Sequence, residues 1–273
     1  HELAEPIMRE QGLEPLLNLL QSHDEECQFA GVYALGSLSE DGEVKAQLVE
    51  LGAIAKLVAI VYDCNLEIKR AAAYFFARLA ESVEFHSHLA SDRALEAIIA
   101  IASLEDVECQ EVSAFALAHL ASDRELQVAL VALGALKPLV AMMSIQAEPR
   151  HYAGLALLKL ADNFENHVAI AQEGGIQALL RLGRERTTDE ELQYKAALTV
   201  GTLASNAVKM MPHTSETHGG GAAARRGRSE IGFGAAAMLQ ARVTQETKRG
   251  TEETLSYLDK TASQDPNASK GHH

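Results

Sequence analysis

The stretch "LGAIAKLVAIV", Leu51 to Val61, returns along the chain as "LGALKPLVAMM" at Leu133 to Met143 and as "EGGIQALLRLG" at Glu173 to Gly183. Taken alone it reads as a membrane anchor, a buried strand or a helix. It is only 11 residues long and carries Lys56, whereas a spanning helix needs about 18 or more uncharged apolar residues. Its apolar side chains fall at i, i+3, i+4 and i+7, namely Ile54, Leu57, Val58 and Val61, which is the spacing of one helix face rather than of a strand. The recurrence carries more. The residue after the Gly-Ala-like step is Leu13, Ile54, Leu95, Leu136 and Ile176, separated by 41, 41, 41 and 40 positions. A second ladder, Leu38, Leu79, Leu120, Leu160 and Leu203, is spaced by 41, 41, 40 and 43. Two ladders with one period near 40 specify a solenoid, in which each unit buries its apolar face only by stacking on the next.

Each copy divides into three helical pieces. The first is short and polar at its start, as in "GEVKAQLVEL" at Gly42 to Leu51. Gly52, Gly134 and Gly174 follow it, where one helix stops and the chain turns away through the left-handed conformation that glycine adopts at little cost. The second piece is the opening stretch and its cousins. The third is the longest and runs from an acidic start such as "DEEC" at Asp24 to Cys27, with Ala30 and Ala34 offering close helix contacts. Arg93 stands where the third copy would carry glycine, so the bend there is expected to differ.

Composition agrees with packed helices: 47% hydrophobic residues but only 5% aromatic, with no Trp. The net charge of −14 argues against a nucleic-acid or anionic-lipid partner for the chain as a whole. Cys27, Cys64 and Cys109 form no CxxC pair and are expected as free thiols in a reducing compartment.

A short helix, a glycine break and two longer antiparallel helices over about 41 residues resemble the armadillo repeat. "GAIAKLVAI" at 52–60, "GALKPLVAM" at 134–142 and "AFALAHLA" at 114–121 carry the resemblance. HEAT repeats, with two helices and usually no glycine step, are the alternative. The resemblance implies an all-α, right-handed solenoid of five repeats over 1–205, bounded near 1–40, 41–81, 82–122, 123–162 and 163–205. It also implies a protein-binding scaffold whose third helices line a groove for extended partner segments.

In importin-α and β-catenin-like members a Trp, and four residues later an Asn, line that groove, the Asn bonding the peptide backbone. Here the Asn place holds Ser37, Arg78, His119, Lys159 and Thr202, and the aromatic place holds Tyr33, Tyr74, Phe115, Leu155 and Leu198. The missing Asn ladder counts against reading of nuclear-import signals. Arg78, His119 and Lys159, in consecutive repeats roughly 10 Å apart, would form a basic row beside an aromatic one, suited to an acidic or phosphorylated segment. Eleven residues before the Asn place stand Glu26, Glu67, Glu108, Glu148 and Glu191, each in the first turn of a helix, where a carboxylate complements the helix dipole.

Catalytic signatures are lacking: there is no GxxxxGK[ST] loop, GxSxG elbow or HExxH helix. "GFGAAA" at Gly232 to Ala237 follows no expected strand, and "HSH" at His86 to His88 lacks the spacing of a metal set and is expected at a polar helix junction. A non-enzyme without cofactor or metal is expected, in the cytoplasm. The alternatives are a nuclear-transport adaptor, or a peripheral adaptor anchored to an organelle membrane by an acylated N-terminal segment, resembling vacuolar-type or armadillo-repeats-only proteins.

Charge and composition change after 205: residues 1–205 hold 15 Lys/Arg against 31 Asp/Glu, and 206–273 hold 9 against 7. The stretch 206–234 reads as a flexible Gly/Arg-rich linker, 235–260 as a helix with a narrow apolar stripe, and 261–273 as a disordered tail. Arg225, Arg226 and Arg228 form a basic knot beside Ser229, a spacing basophilic kinases accept and a candidate regulatory site.

Overall fold

The structure is a computed structural model that describes residues 4–144, 149–184 and 190–210. Arg225, Arg226, Arg228, Ser229, the segments expected at 235–260 and 261–273, and residues 211–234 of the linker expected at 206–234 lie outside the described residues, as does Glu148. The chain divides into two compact units, His1–Asn166 and His167–His273.

All regular structure among the described residues is helical. In the first unit it falls into four repeats of three helices. The first holds α1 (Ala4–Arg9), α2 (Leu13–Leu19) and α3 (Glu25–Leu38), and the second α4 (Gly42–Glu50), α5 (Ala53–Val61) and α6 (Leu66–Ala80). The third holds a 3-10 turn at Val83–Phe85, then α7 (His86–Ser91), α8 (Ala94–Ala102) and α9 (Val107–Leu120). The fourth holds α10 (Arg124–Ala132), α11 (Leu136–Met142) and α12 (Pro149–Ala161). The second unit contains α13 (His167–Gln172), α14 (Gly175–Arg184) and α15 (Glu190–Met210). The last helix continues past the boundary expected at 205, so a linker begins no earlier than 211. Three helices per repeat is the armadillo plan rather than the two-helix HEAT plan.

The stretch 53–61 is α5 itself, and Ile54, Leu57 and Val61 on its apolar face are buried. The third helices stack in sequence within the first unit: α6 packs against α3 and α9, and α9 against α12. Phe75 and Phe76 of α6 are fully buried and meet edge to face with ring centroids 6.0 Å apart. Burial of such a side chain is worth about 1.5–3 kcal/mol, so these rings anchor the second repeat. The expectation that Ala30 lies at a close helix contact is not met. Ala30 is exposed because α3 begins the stack, whereas its equivalent Ala71 on α6 is covered. Gly31 makes the close contact instead: a Cβ there would lie 2.9 Å from Cβ of Leu19 on α2.

The expected difference at Arg93 is also corrected. Arg93 adopts φ 62, ψ 23, close to Gly52 at φ 74, ψ 29. Gln11, the equivalent in the first repeat, has φ 56, and Gly134 and Gly174 have φ 91 and 82. The left-handed step is therefore present in every repeat, and the chain makes the same turn whether or not glycine occupies it. The surrounding helix packing imposes the torsion, and a non-glycine residue accepts its steric cost.

Candidate functional site

Side chains hold the ends of the third helices in the first unit, at the N-terminal end for α3, α6 and α9 and at the C-terminal end for α6, α9 and α12. At the N-terminal ends Asp24, Asn65 and Asp106 are caps whose side chains accept from backbone N–H of Glu26 (2.9 Å), Ile68 (3.0 Å) and Cys109 (2.9 Å). Such caps are worth about 1 kcal/mol each and fix where a helix starts. Two of them also clasp a neighbour. Asn65 Nδ2 donates to Glu25 Oε2 at 2.8 Å, and the Arg70 guanidinium donates to both oxygens of Asp106 at 3.1 and 2.6 Å. Hydrogen bonding from Arg70 and from the Cys109 backbone holds the Asp106 carboxyl well below the usual carboxylate range. Burial, then the hydrogen bond with Asp106, pushes the Cys109 thiol up to about 12, so it is an inert packed thiol.

At the C-terminal ends a buried polar ladder satisfies helix carbonyls that have no partner within the helix. His86 Nε2 donates to the Ala80 carbonyl at 2.8 Å, while its Nδ1 lies 3.3 Å from Asp123 Oδ2. Gln127, one period later, donates to the Ala121 and Lys159 carbonyls at 3.0 and 2.9 Å. Asn166 Nδ2 donates to the Leu160 and Gln127 carbonyls at 3.0 and 3.2 Å. Lys45, one period before His86, is also buried, with its Nζ 3.5 Å from Ser82 Oγ. This ladder at 45, 86 and 127 was not read from the sequence, although its period matched the apolar ones. Its members differ in chemical type and share only the capacity to donate a hydrogen bond.

Between these ends lies the surface expected to bind a partner. Tyr33 is 62% exposed, with its ring centroid 5.9 Å from that of Phe29. Tyr74 is half-buried over Gly36, where a Cβ would lie only 3.1 Å from its ring, and its hydroxyl donates to Glu40 Oε1 at 3.1 Å. The Arg78 guanidinium sits over the Tyr74 ring at 5.1 Å from the centroid. Phe115 contacts the His119 ring at 4.5 Å and meets Tyr152 edge to face at 5.1 Å. Leu155 and Lys159 are half-buried on α12, and Ser37 is exposed on α3. Leu198 and Thr202 are exposed on α15 in the second unit, where the Thr202 hydroxyl donates to the Leu198 carbonyl of its own helix at 3.0 Å. Tyr33, Tyr74 and Phe115 thus stand at equivalent positions of successively packed third helices, and Tyr152 joins Phe115 edge to face. Tyr152 stands three positions, about one helical turn, before Leu155 in the repeat column, and an alignment by period alone passes over it.

The basic row is weaker than its residue types imply. Arg78 Nη1 is 3.2 Å from Glu81 Oε2, the same oxygen that lies 3.9 Å from Lys45 Nζ. Burial lowers the pKa of His119 from its ordinary value, and nearby Lys159 and His86 lower it further against the opposing pull of Glu81. The imidazole is therefore neutral at pH 7. Lys159 donates to the neutral Ser122 hydroxyl at 2.7 Å. Of three expected cations, one is paired, one is uncharged and one remains. Of the first-turn glutamates, Glu26, Glu67 and Glu108 are exposed, with Glu108 3.3 Å from Arg70, and the side chain of Glu191 lies outside the described residues. No described helix is by itself long and apolar enough to cross a membrane.

No family model and no curated protein sequence matches the chain. Solved structures do match it. An engineered protein aligns with TM-score 0.66 and 27% identity, covering 74% of this chain and 83% of that one. Computationally designed armadillo repeat proteins for modular peptide recognition align with TM-score 0.67 and 25% identity, covering 74% of this chain and 86% of theirs. A designed armadillo repeat protein in complex with the peptide (KR)4 aligns with TM-score 0.64 and 20% identity, covering 89% and 98%. With three helices per repeat of about 41 residues, a left-handed step in each and these structural neighbours, the chain has the armadillo-repeat fold.

Proposed function

We propose that this protein is a non-enzymatic scaffold that binds an extended segment of a partner protein along the third helices α3, α6, α9 and α12. The observation that carries this reading is the row of aromatic residues Tyr33, Tyr74, Phe115 and Tyr152 on successively packed third helices, with cations at Arg78 and Lys159. Rigid aromatic rings supply contact area at low entropic cost, and the cations supply charge-assisted bonds. Peptide recognition by designed proteins of this fold supports it. In the column where a backbone-bonding Asn ladder would stand, Arg78 and Lys159 favour an acidic or phosphorylated segment over a basic signal.

The test is selection of peptides from a displayed random library on the intact protein, followed by affinity measurement on the selected sequences. Acidic or phosphorylated peptides with apolar residues are expected. Arg78→Gln with Lys159→Gln should weaken them tenfold or more, since a hydrogen bond to a charged group is worth about 1.5–3 kcal/mol. The thermal midpoint should change little, because both side chains are partly solvated. Selected peptides that bind the double variant as tightly as the parent would remove the basic edge from the site.

A further inference from the structure

We propose that Glu81 is a resident counter-ion that sets the selectivity of this surface, making it prefer a phosphoryl group to a carboxylate on the bound segment. The inference rests on the peptide-binding reading above and concerns what the site discriminates.

One oxygen of Glu81 serves two cations: it is 3.2 Å from Arg78 Nη1 and 3.9 Å from Lys45 Nζ. Lys45 comes from α4, and its side chain is only 10% exposed. Arg78 is under-used, because its Nε–H has no acceptor among the described residues and only Nη1 is bonded to Glu81. Two repeats on, Lys159 has a neutral hydroxyl as its partner. Lys45, Arg78 and Lys159 therefore stand against Glu81 and against Glu40, which accepts from Tyr74.

A carboxylate side chain arriving at Arg78 exchanges one single charge for another. It then sits beside the displaced Glu81, and the repulsion offsets what it gains. A phosphoryl group carries a charge of about −1.5 to −2 and three acceptor oxygens. It can engage two guanidinium donors at once, the geometry in which Arg exceeds Lys. Glu81 need only rotate toward Lys45, which it already approaches. The resident carboxylate therefore handicaps singly charged ligands more than doubly charged ones, and discrimination follows from displacement rather than from any new contact.

The experiment uses the intact protein and three degenerate heptapeptide libraries whose central residue is fixed as Ser, Asp or phosphoserine. Enrichment is scored first, and affinities are then measured by fluorescence anisotropy on the best peptide with each centre. The parent protein should favour phosphoserine over Asp by about tenfold, and Asp little over Ser. In Glu81→Gln the Asp peptide should tighten about threefold while the Ser peptide stays unchanged, narrowing the ratio. Arg78→Lys should lower phosphoserine binding and leave Asp binding nearly as it was, because the charge stays and the fork is lost. If Glu81→Gln unfolds by leaving Lys45 buried alone, Glu81→Gln with Lys45→Met removes both charges and carries the same expectation. Failure of all three libraries to enrich any peptide overturns the binding surface itself. Enrichment with a phosphoserine-to-Asp ratio that Glu81→Gln does not move overturns the role of Glu81 alone.

Discussion

Replacing Arg93 by Gly should do better than replacing it by Ala, the reverse of the order found in regular helix. Arg93 holds φ 62 at the step between α7 and α8. A left-handed torsion costs a residue with a Cβ about 1–2 kcal/mol. Both substitutions remove the Arg93–Glu96 ion pair at 3.3 Å, and because the Arg93 side chain is 77% exposed that loss is small. The two variants then differ in torsional strain, relieved only by Gly, and in unfolded-chain entropy, which disfavours Gly by about 0.5–1 kcal/mol. The difference leaves Arg93→Gly about 0.5–1 kcal/mol more stable than Arg93→Ala. Gly52→Ala provides the mirror image. A Cβ added at Gly52 meets nothing within 4 Å, so no clash adds to the same torsional and entropic terms and the net cost should be of the same size. Urea unfolding followed by far-UV circular dichroism reads this as a midpoint about 0.3 M higher for Arg93→Gly than for Arg93→Ala, at unchanged m. If Arg93→Ala equals or exceeds Arg93→Gly, the packing around this step does not impose a left-handed torsion and the reasoning is wrong.

Two further outcomes follow from the buried polar groups. His86→Gln should cost less than about 1 kcal/mol, because Gln127 already caps the preceding third helix from the equivalent position; His86→Leu should cost about 1–3 kcal/mol by leaving the Ala80 carbonyl without its donor. Equal losses in chemical denaturation of the two variants would deny the ladder its bonding role. His119 predicts a pH dependence. Its folded pKa is below the unfolded value near 6.5, so between that value and the lower folded one the unfolded chain binds more protons, and stability is lost as pH falls. The decline in unfolding free energy from pH 7.5 to 5.5 should be shallower in His119→Gln than in the parent; parallel slopes would mean the imidazole is not desolvated.

The period near 41 made the fold legible because burial repeats with it: Ile54, Leu57 and their equivalents are apolar wherever a second helix is covered. The same reasoning found the columns at 33 and 37, since the third helices are stacked in register. It misjudged Arg93 by treating glycine as the cause of the turn. Glycine lowers the cost of a left-handed torsion, but the helices on either side demand it, and so Gln11 and Arg93 comply. Reading charge by residue type failed for a related reason. The partners that neutralise or hold Lys45 and Lys159 lie far off in sequence: Glu81, at the other end of the same repeat, is 36 positions from Lys45, and Ser122, in the preceding repeat, is 37 from Lys159. A period search keyed to identity passes over such pairs, as it passed over Lys45, His86 and Gln127. A search keyed to hydrogen-bonding capacity finds them, and His86 and Gln127 show why: each donates to a carbonyl where the preceding third helix ends. The caps at Asp24, Asn65 and Asp106 meet the corresponding demand at the other end by accepting. With both ends of α6 and α9 fixed by side chains one period apart, the middle of these third helices is free to vary without losing register. That freedom lets Ser37, Arg78, His119 and Lys159 differ from repeat to repeat, and the proposed preference for one kind of partner segment draws on it.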